Sequence, residues 1–375
     1  MKNKNKLNIP FFDLRVRDQS LREDLTDAFK KVLDHGKLFM GPEVYQFEEK
    51  IAQEIDKRYG VSVGSGSSAL YLALKASGVG PGDEVITTPL TWIITVNAIA
   101  ACGAIPVFAD VGDDFNIDPD SIKNNITSKT RAIVPMHYAG HMCNMDRICE
   151  ISEKNNIMII EDVAQAYGAS LNGRKAGNFS FAAGFSMNPM KVLGGYGEAG
   201  MVTTDDKDTY ERIKRLRHAG TTSDVKKRHI TNDCLEVSLN HKMDTINAAL
   251  LLVACKHFPE KQKRREYIAK KYDNELSEAI IRQGYHLNEV HGRYVYAVAV
   301  DERDELKSYL EKNLIETKIF NSPLACDAPV YQQYNSDSVP VARKMLSKNL
   351  ILPSHEMLSD EQIECLIYTL NRYYN

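Results

Sequence analysis

The 375-residue sequence has no excess of charge of either sign and no uninterrupted apolar run of membrane-spanning length. It holds 47 Lys and Arg against 50 Asp and Glu, and the formal net charge of −3 offers no electrostatic attraction to nucleic acid or anionic membranes. The longest apolar stretch, 85–111, is interrupted by Pro89, Asn97 and Gly103, and the charged N-terminus lacks the apolar segment of a signal peptide. We therefore expect a cytoplasmic protein that contacts neither nucleic acid nor membrane.

Cysteine and histidine patterns argue against two further kinds of site. The seven cysteines are dispersed without a CxxC pair, which predicts reduced thiols rather than a disulfide framework or a zinc site. Neither His137 nor His218 has neighbours at metal-ligand spacing. The sequence therefore predicts no metal site.

The first two thirds of the chain alternate short apolar segments with helical ones. Strands are predicted at GVSVGS, EVITTP, IPVFADV, RAIVPMHYAG and IMIIED, with amphipathic helices between them. This alternation predicts an α/β fold with a mainly parallel central sheet and helices on both faces. In such sheets ligands gather at the C-terminal ends of the strands.

Length and patterning together predict two domains. The larger would span 1–255 and include an N-terminal arm at 1–17, and the smaller would be an α+β domain at 256–375. Within the smaller domain, IETKIF (315–320) is predicted as a strand. The charged run at 261–276 is interpreted as a solvated helix face rather than a nucleic-acid contact, because acids interleave with the bases.

A glycine- and serine-rich turn, Gly64-Ser-Gly-Ser-Ser68, leads directly into a predicted helix. Free backbone N–H groups, the helix dipole and hydroxyls make such a turn an anion site. It matches neither GxGxxG nor the P-loop pattern, so it implies no dinucleotide or nucleoside triphosphate. The alternative is helix capping, which accounts for one of the serines rather than three.

Two charged side chains stand out in residues 157–195. Lys191 lies among small and apolar neighbours, which favour an uncharged, nucleophilic amine, although a surface-loop lysine is the equally weighted alternative. Asp162 ends an isoleucine-rich strand, where a buried carboxylate needs a cationic or N–H partner such as a protonated pyridine nitrogen. Its alternative is an N-cap, with Gln165 at the capping-box spacing.

Trp92, the single tryptophan, lies in a predicted loop at a strand end, where it could stack on a planar ring or fill the core. Taken together, a phosphate turn, a stacking aromatic, a strand-end acid and an isolated lysine describe a pyridoxal phosphate site.

The motifs that hold these residues resemble those of the DegT/DnrJ/EryC1/StrS aminotransferases, in the same order. The segments are GSGSSALYLAL, PLTWIITVNAI, FADV, HYAG, EDVAQAYGA, SMNPMK, GEAGMVTTDD and LNHKMDTINAAL. The resemblance runs from about residue 35 to the C-terminus. It implies a fold-type-I, aspartate-aminotransferase-like enzyme that depends on pyridoxal phosphate, in a family that mostly aminates keto-sugar nucleotides.

Carried over residue by residue, the resemblance implies the catalytic and ring-binding roles. Lys191 would form the Schiff base with the cofactor and move protons, and Asp162 would pair with the pyridinium nitrogen. Gln165 would lie near the phenolic oxygen, and Trp92 would stack on the ring.

The resemblance also implies how the cofactor phosphate is held. The phosphate would be bound within one subunit by Gly66, Ser67, Ser68 and Ser186. Asn240 of the neighbouring subunit would reach the same phosphate, so the active enzyme would be a homodimer with shared active sites.

The sequence departs from the family pattern at three places. Asn188 replaces a histidine that many members carry, Lys242 replaces the arginine of Asn-x-Arg-Met, and Phe320-Asn321 replaces His-Tyr. With His137 and Tyr138, these residues are the candidate substrate contacts.

The expected reaction is transfer of an amino group from L-glutamate or L-glutamine to a nucleotide-linked keto-sugar in surface polysaccharide or glycan precursor biosynthesis. The departures leave an alternative acceptor open, a small phosphorylated ketone or keto-polyol such as a triose phosphate, which would give an amino-polyol phosphate. Two further alternatives are a regulatory protein that binds pyridoxal phosphate and a sugar dehydratase. Retention of Lys191 disfavours the dehydratase, because the dehydratases that resemble this family carry histidine there.

Overall fold

The computed structural model describes residues 7–222, 232–334 and 339–374. The helices are α1 (Gln19–His35), α2 (Pro42–Glu54), α3 (Gly66–Ala76), α4 (Ile93–Ala101), α5 (Pro119–Asn124), α6 (Met145–Asn155), α7 (Lys207–Arg217), α8 (Thr245–Glu275), α9 (Arg303–Lys312), α10 (Pro340–Lys348) and α11 (Asp360–Tyr374). The strands are β1 (Tyr59–Val63), β2 (Glu84–Thr87), β3 (Ile105–Phe108), β4 (Thr130–Val134), β5 (Met158–Asp162), β6 (Ser170–Leu171), β7 (Arg174–Lys175), β8 (Ala182–Ser186), β9 (Gly200–Thr204), β10 (Ile281–Arg282), β11 (Glu289–Val290), β12 (Tyr296–Ala299) and β13 (Asn349–Leu352).

A seven-stranded sheet in the order β1-β9-β8-β5-β4-β2-β3 forms the centre of the larger domain. Neighbouring strands from β8 to β3 pair in parallel, and only β9 pairs antiparallel with both of its neighbours. The predicted mainly parallel α/β fold is confirmed. Strand β5 lies in the middle of the sheet, so its C-terminal end is flanked by strands on both sides.

Helices cover both faces of this sheet, as the apolar strands require. Ile133 and Ile159 point to one face, where they join a core with α2 and α8. Ala132, Val134 and Ile160 point to the other face, where they pack with α3, α4 and α7. Because strand side chains alternate between faces, apolar residues at successive positions are buried on both sides.

Helix α8 crosses the predicted domain boundary without interruption. Its first part contributes Leu251 and Ala254 to the core of the larger domain, and its last part contributes Ile268 and Tyr272 to the core of the smaller domain. The predicted change near residue 255 therefore falls inside one continuous helix rather than at a linker. The charged run at 261–276 lies along the second half of this helix.

The N-terminal arm, which was grouped with the larger domain, makes backbone contacts with the smaller one. Ile9 is fully buried and bridges to Ile315, and the Phe11 backbone N–H donates to Glu316 Oε2 at 2.9 Å. Residues 1–6 of the predicted arm lie outside the described residues. The strand predicted at 315–320 is wrong: this segment makes single bridges from Ile315 to the arm and from Lys318 to β13.

The described helices include none that is both long and apolar enough to cross a membrane.

A buried ion pair ties α2, β1 and α7 together. Arg217 Nη1 contacts Glu48 Oε1, and both side chains are less than a tenth exposed. Glu48 Oε1 also accepts from the Ser62 N–H at 2.9 Å and the Ser62 hydroxyl at 2.8 Å, and Arg217 donates to the Ser62 carbonyl oxygen at 3.1 Å. The packing of α2, β1 and α7 against one another therefore depends on the charge neutralisation between Glu48 and Arg217.

Replacing Arg217 with methionine should lower the free energy of unfolding by about 3–5 kcal/mol, because Glu48 would stay buried without its cation. The measurement is urea unfolding followed by circular dichroism. Arg147→Met, which removes an exposed pair with Asp120, is the matched control and should leave the free energy of unfolding nearly unchanged. Equal losses in the two variants would contradict the assigned role of the buried pair.

Candidate active site

A cavity of about 760 Å³ lies between the C-terminal edge of the large sheet and the segment 318–325 of the smaller domain. Its position follows the rule for parallel sheets, in which loops at the carboxyl ends of the strands form the binding crevice. The predicted site residues that line this cavity are Gly66, Ser67, Trp92, Asp162, Gln165, Ser186, Asn188, Lys191, Phe320 and Asn321.

The two carboxylates that end β5 point in opposite directions, as alternate residues of a strand must. Asp162 lines the cavity, whereas Glu161 points into the core, where it contacts His137 Nε2 at 3.1 Å and accepts from the Gly177 N–H and the Ser180 hydroxyl. Burial by itself would raise the pKa of Glu161, but the hydrogen bond from His137 and the neighbouring donors lower it below the usual value. Asp162 is therefore the carboxylate available to a ligand.

Asp162 is 6% exposed and accepts two hydrogen bonds, from the Thr95 hydroxyl at 2.8 Å and from the Ala164 N–H at 3.1 Å. Burial raises its pKa, and these two donors oppose that shift only in part. Within the described residues, no ion pair reaches its carboxylate. The alternative interpretation as a helix N-cap is wrong, because the residues that follow Asp162 form turns.

Lys191 lies in the loop between β8 and β9, whose backbone is held by hydrogen bonds from the Lys191 N–H to the Asn188 carbonyl oxygen and from the Gly195 N–H to the Met187 carbonyl oxygen. Its Nζ lies 4.4 Å from the centroid of the Tyr294 ring, and both residues line the cavity. An aromatic face stabilises a nearby ammonium by about 0.5–2 kcal/mol. The surface-loop alternative is therefore wrong: Lys191 faces Tyr294 inside the crevice.

The phosphate turn brings the start of α3 against the end of β8. A Cβ added to Gly66 would lie 2.5 Å from the Ser186 Cβ, so only glycine permits this approach. Ser65 caps α3 by accepting from the Ser68 N–H at 3.1 Å, which leaves Ser67 and Ser186 on the cavity wall. Hydroxyls around a helix N-terminus form a site that suits a phosphate.

Trp92 and Gln165 both line the cavity but differ in their exposure to solvent. Trp92 precedes α4 and is 63% exposed although it is the single tryptophan, so core filling is excluded as its role. Gln165 is buried, and its Oε1 accepts from the Ala139 N–H at 2.8 Å. That bond directs the amide NH₂ group away from Ala139 and leaves it available as a donor.

His137 and Tyr138 were predicted to contact the substrate, and this prediction is wrong. Both side chains are fully buried and neither lines the cavity. His137 is occupied by Glu161 and by the Cys143 N–H at 3.1 Å, and the Tyr138 hydroxyl accepts from Asn349 Nδ2 at 2.5 Å. Hydrogen bonds to interior groups hold both side chains in the core.

Three other predicted residues lie outside the cavity of their own chain. The Ser68 hydroxyl lies 2.9 Å from His241 Nδ1 and 3.1 Å from the Ser65 hydroxyl, and its contact with the phosphate stays a prediction. Asn240 is exposed, and Lys242 Nζ lies 2.9 Å from His218 Nδ1. The predicted roles of Asn240 toward the phosphate of a second subunit and of Lys242 toward the substrate stay predictions.

The outer wall contains residues that the sequence reasoning missed. Phe11 and Phe12 of the arm line the cavity, and Phe11 packs on Phe320 with ring centroids 5.8 Å apart. Phe320 in turn lies 6.0 Å from Tyr294. Thr95 lies on the face of α4 that approaches Asp162, and no motif signalled it. Its position one helical turn after Trp92 was the one feature of the sequence that placed Thr95 near the predicted site.

The described residues fit pyridoxal phosphate. A buried carboxylate without an ion-pair partner suits a pyridinium nitrogen, and the approach of Gly66 to Ser186 forms a cradle for a phosphate. Trp92 offers an exposed flat face above the cavity, and Lys191 supplies a primary amine at its side.

Comparison with known proteins gives the same result. The model of the DegT/DnrJ/EryC1/StrS aminotransferase family matches residues 19–371. A dTDP-3-amino-3,6-dideoxy-alpha-D-galactopyranose transaminase from Aneurinibacillus thermoaerophilus is 34% identical over 97% of this chain and 99% of its own.

Solved structures of similar proteins share the fold. DesV from S. venezuelae, in complex with a ketimine intermediate, superposes with a TM-score of 0.92 at 32% identity and covers 98% of each chain. The ntda protein from Bacillus subtilis, with bound cofactor PMP, has a TM-score of 0.90 at 27% identity and covers 99% of this chain and 86% of its own. The expected fold-type-I architecture and pyridoxal phosphate cofactor are therefore confirmed.

Replacing Thr95 with valine should weaken pyridoxal phosphate binding about tenfold, because a buried carboxylate loses one donor and its pKa rises further. Quenching of the fluorescence of Trp92 by added cofactor measures the affinity. Thr95→Ser keeps the hydroxyl and should bind as the parent does. A valine variant with unchanged affinity would show that Thr95 does not support Asp162.

Proposed function

The chain belongs to the DegT/DnrJ/EryC1/StrS family of pyridoxal phosphate-dependent aminotransferases, and from this membership we propose that it aminates the ketone of a nucleotide-linked sugar. The observation that carries the proposal is the cavity in which Lys191, Asp162 and the phosphate cradle converge. Relatives that match nearly the whole chain support it, since one of them is a dTDP-amino-sugar transaminase. The volume of about 760 Å³ is within the usual range for ligand sites.

When bound, pyridoxal phosphate supplies the electron-accepting ring and the carbonyl carbon on which amino groups are exchanged. Asp162 would hold the ring nitrogen protonated, because a carboxylate beside that nitrogen favours its charged form. Gln165 would orient the ring through its amide NH₂ group. The start of α3, with Ser67 and Ser186, would bind the phosphate.

Lys191 would perform the proton transfers. Its amine would accept a proton at Nζ from the carbon of the amino donor and would give that proton up again later in the transfer. The Tyr294 ring, 4.4 Å from Nζ, stabilises the ammonium in the interval when Lys191 holds that proton. Leu70, Ile93 and Met136 add apolar surface to the cavity wall, which would limit the access of water to the transfer path.

L-glutamate or L-glutamine is the proposed amino donor, and a nucleotide-linked keto-sugar for surface polysaccharide is the proposed acceptor. Phe320 and Asn321 line the cavity at the positions where the family carries His-Tyr. Asn188 stands where many members carry histidine, and its side-chain amide donates to Glu198 Oε1 at 2.6 Å. This altered wall supports a second candidate acceptor, a small phosphorylated ketone or keto-polyol. The seven cysteines, all of them free thiols, support a cytoplasmic enzyme.

A homodimer with shared active sites is part of the proposal. The segment that carries Asn240 packs beside the phosphate turn, since the Gly64 N–H donates to the His241 carbonyl oxygen at 2.8 Å. Asn240 itself is exposed, and among the described residues its Oδ1 accepts only from the nearby Lys242 N–H at 3.3 Å, so its side chain would be accessible to the cavity of a second subunit.

A substrate panel tests the proposed acceptor. The enzyme in its pyridoxamine form is mixed with keto-sugar nucleotides and with small keto-phosphates, and loss of that form is followed by absorbance. A nucleotide-linked keto-sugar should react at least about a hundredfold faster than a triose phosphate. Faster reaction with the small keto-phosphate would replace the proposed substrate with the second candidate.

Lys191→Ala is the control for the chemistry in the same assay. Its turnover should fall by a factor of about 10³ or more. Borohydride should attach the cofactor to the parent protein but not to this variant. Sustained turnover without Lys191 would overturn the proposed mechanism.

Subunit complementation tests the shared site. Chains carrying Lys191→Ala and chains carrying Asn240→Asp should each be poorly active, because the second change places a carboxylate beside the phosphate. Co-expressed with different tags, they should form hybrid dimers in which one site is intact, restoring about a quarter of the parent activity in a random mixture. If Asn240 acted within its own chain, both sites of the hybrid would be damaged and activity would not return.

A further inference from the structure

Three metal-binding side chains from distant parts of the sequence converge behind the active-site cavity. Asp114 follows β3, His141 follows the turn at 138–140, and His286 precedes β11. One candidate ligand atom from each lies within 4.8 Å of the others. His141 is buried at 1% exposure, and the centroid of its ring lies 4.7 Å from that of the tilted His286 ring. None of these residues belongs to the cavity wall.

The orientation of His141 is set by Glu289. The Nδ1 atom of His141 lies 2.8 Å from Glu289 Oε2. The Glu289 carboxylate also accepts from the backbone N–H groups of Met142 at 2.8 Å and His286 at 3.0 Å. Because Glu289 has only acceptors to offer, Nδ1 carries the proton. In the neutral ring, the lone pair then lies on Nε2, which faces Asp114 Oδ2 at 3.3 Å.

Two electron-rich atoms that face each other require a cation between them, either a proton or a metal ion. Charge-assisted N–H···O bonds are about 2.7–2.9 Å long, and the contact between His141 and Asp114 is longer. Two ligands bound at about 2.0–2.1 Å to a tetrahedral zinc ion lie about 3.3 Å apart. The observed separation of 3.3 Å is therefore compatible with a zinc ion bound between these two atoms, and a proton is the competing occupant.

Both histidines also have the outer partners that metal-binding histidines have. Such ligands donate their second ring N–H to a carboxylate or a backbone carbonyl oxygen. His141 Nδ1 faces Glu289, and His286 Nε2 lies 2.9 Å from the Met142 carbonyl oxygen. Asp114 Oδ1 accepts from the Asn116 N–H at 3.0 Å, which leaves Oδ2 for a metal.

We propose that Asp114, His141 and His286 bind a divalent transition-metal ion, with zinc as the expected ion and water as the remaining ligand. Imidazole and carboxylate ligands in this number suit zinc. Asp114 is 29% exposed along its side chain, which provides a path for the ion and for water.

The ion would join two segments that shape the active site. Ala139, two residues before His141, holds Gln165, and the Gly292 N–H donates to the Gly140 carbonyl oxygen at 2.8 Å in the segment that leads to Tyr294. The ion would hold these segments in place from outside the cavity wall.

A proton on His141 is the competing occupant. Burial lowers the pKa of His141, but the hydrogen bonds with Asp114 and Glu289 outweigh it and raise the pKa to about 9. The test therefore measures metal uptake directly.

Protein that carries its cofactor and has no affinity tag is treated with a chelator, desalted and titrated with Zn²⁺ against a chromogenic indicator. The parent should bind one zinc ion per chain with a dissociation constant of about micromolar or below. Asp114→Asn and His286→Gln should each weaken binding at least about tenfold. Cofactor absorbance and circular dichroism report whether each variant is folded.

His257→Gln is the matched control, because His257 also pairs with a carboxylate, Asp24 at 3.0 Å, outside this cluster. It should bind zinc as the parent does. Absence of zinc uptake by the parent would leave the proton as the occupant and overturn the proposal, and so would parental affinity in both cluster variants. The assay needs no substrate, so its result is independent of the proposed transamination.

Discussion

A buried carboxylate that no ion pair neutralises within the described chain is the constraint on which the active site depends. Asp162 ends the central strand of the sheet, and hydrogen bonds from Thr95 and Ala164 only partly offset the cost of burying its charge. A positively charged ring nitrogen would offset the remaining free-energy cost of burying the Asp162 carboxylate. Binding of the cofactor and ionisation of Asp162 are therefore coupled, and residues that support Asp162 contribute to affinity without touching the cofactor.

The parts of this site that could be predicted from the sequence are those with local signals. The apolar run before Asp162 indicates a buried strand, and the turn before α3 indicates an anion site through its glycines and serines. Lys191 could be chosen only jointly with these features, because its own surroundings were as compatible with a surface loop. Strand and helix positions in the larger domain follow from periodicity, and the resemblance to a known family adds the roles of the individual residues.

The remaining features depend on contacts between distant segments, which periodicity does not report. His137 has the right place in the chain for a substrate contact, yet Glu161 on the neighbouring strand draws it into the core. The arm contributes Phe11 to the cavity because Ile9 pairs with Ile315, more than three hundred positions away. The Asp114, His141 and His286 cluster has no sequence spacing that resembles a metal motif, since three separate loops build it.

Helix α8 has a consequence for how the molecule folds and comes apart. Its two ends belong to different cores, and a third core joins residues from both sides of position 255, among them Leu90 and Val96 with Tyr294 and Leu324. Cutting the chain near 255 would therefore leave apolar surface bare on each fragment. Neither half should behave as an independent folding unit, although each has its own sheet. Because one helix is part of both cores, unfolding of either core would disrupt the other. We therefore expect a single cooperative unfolding transition.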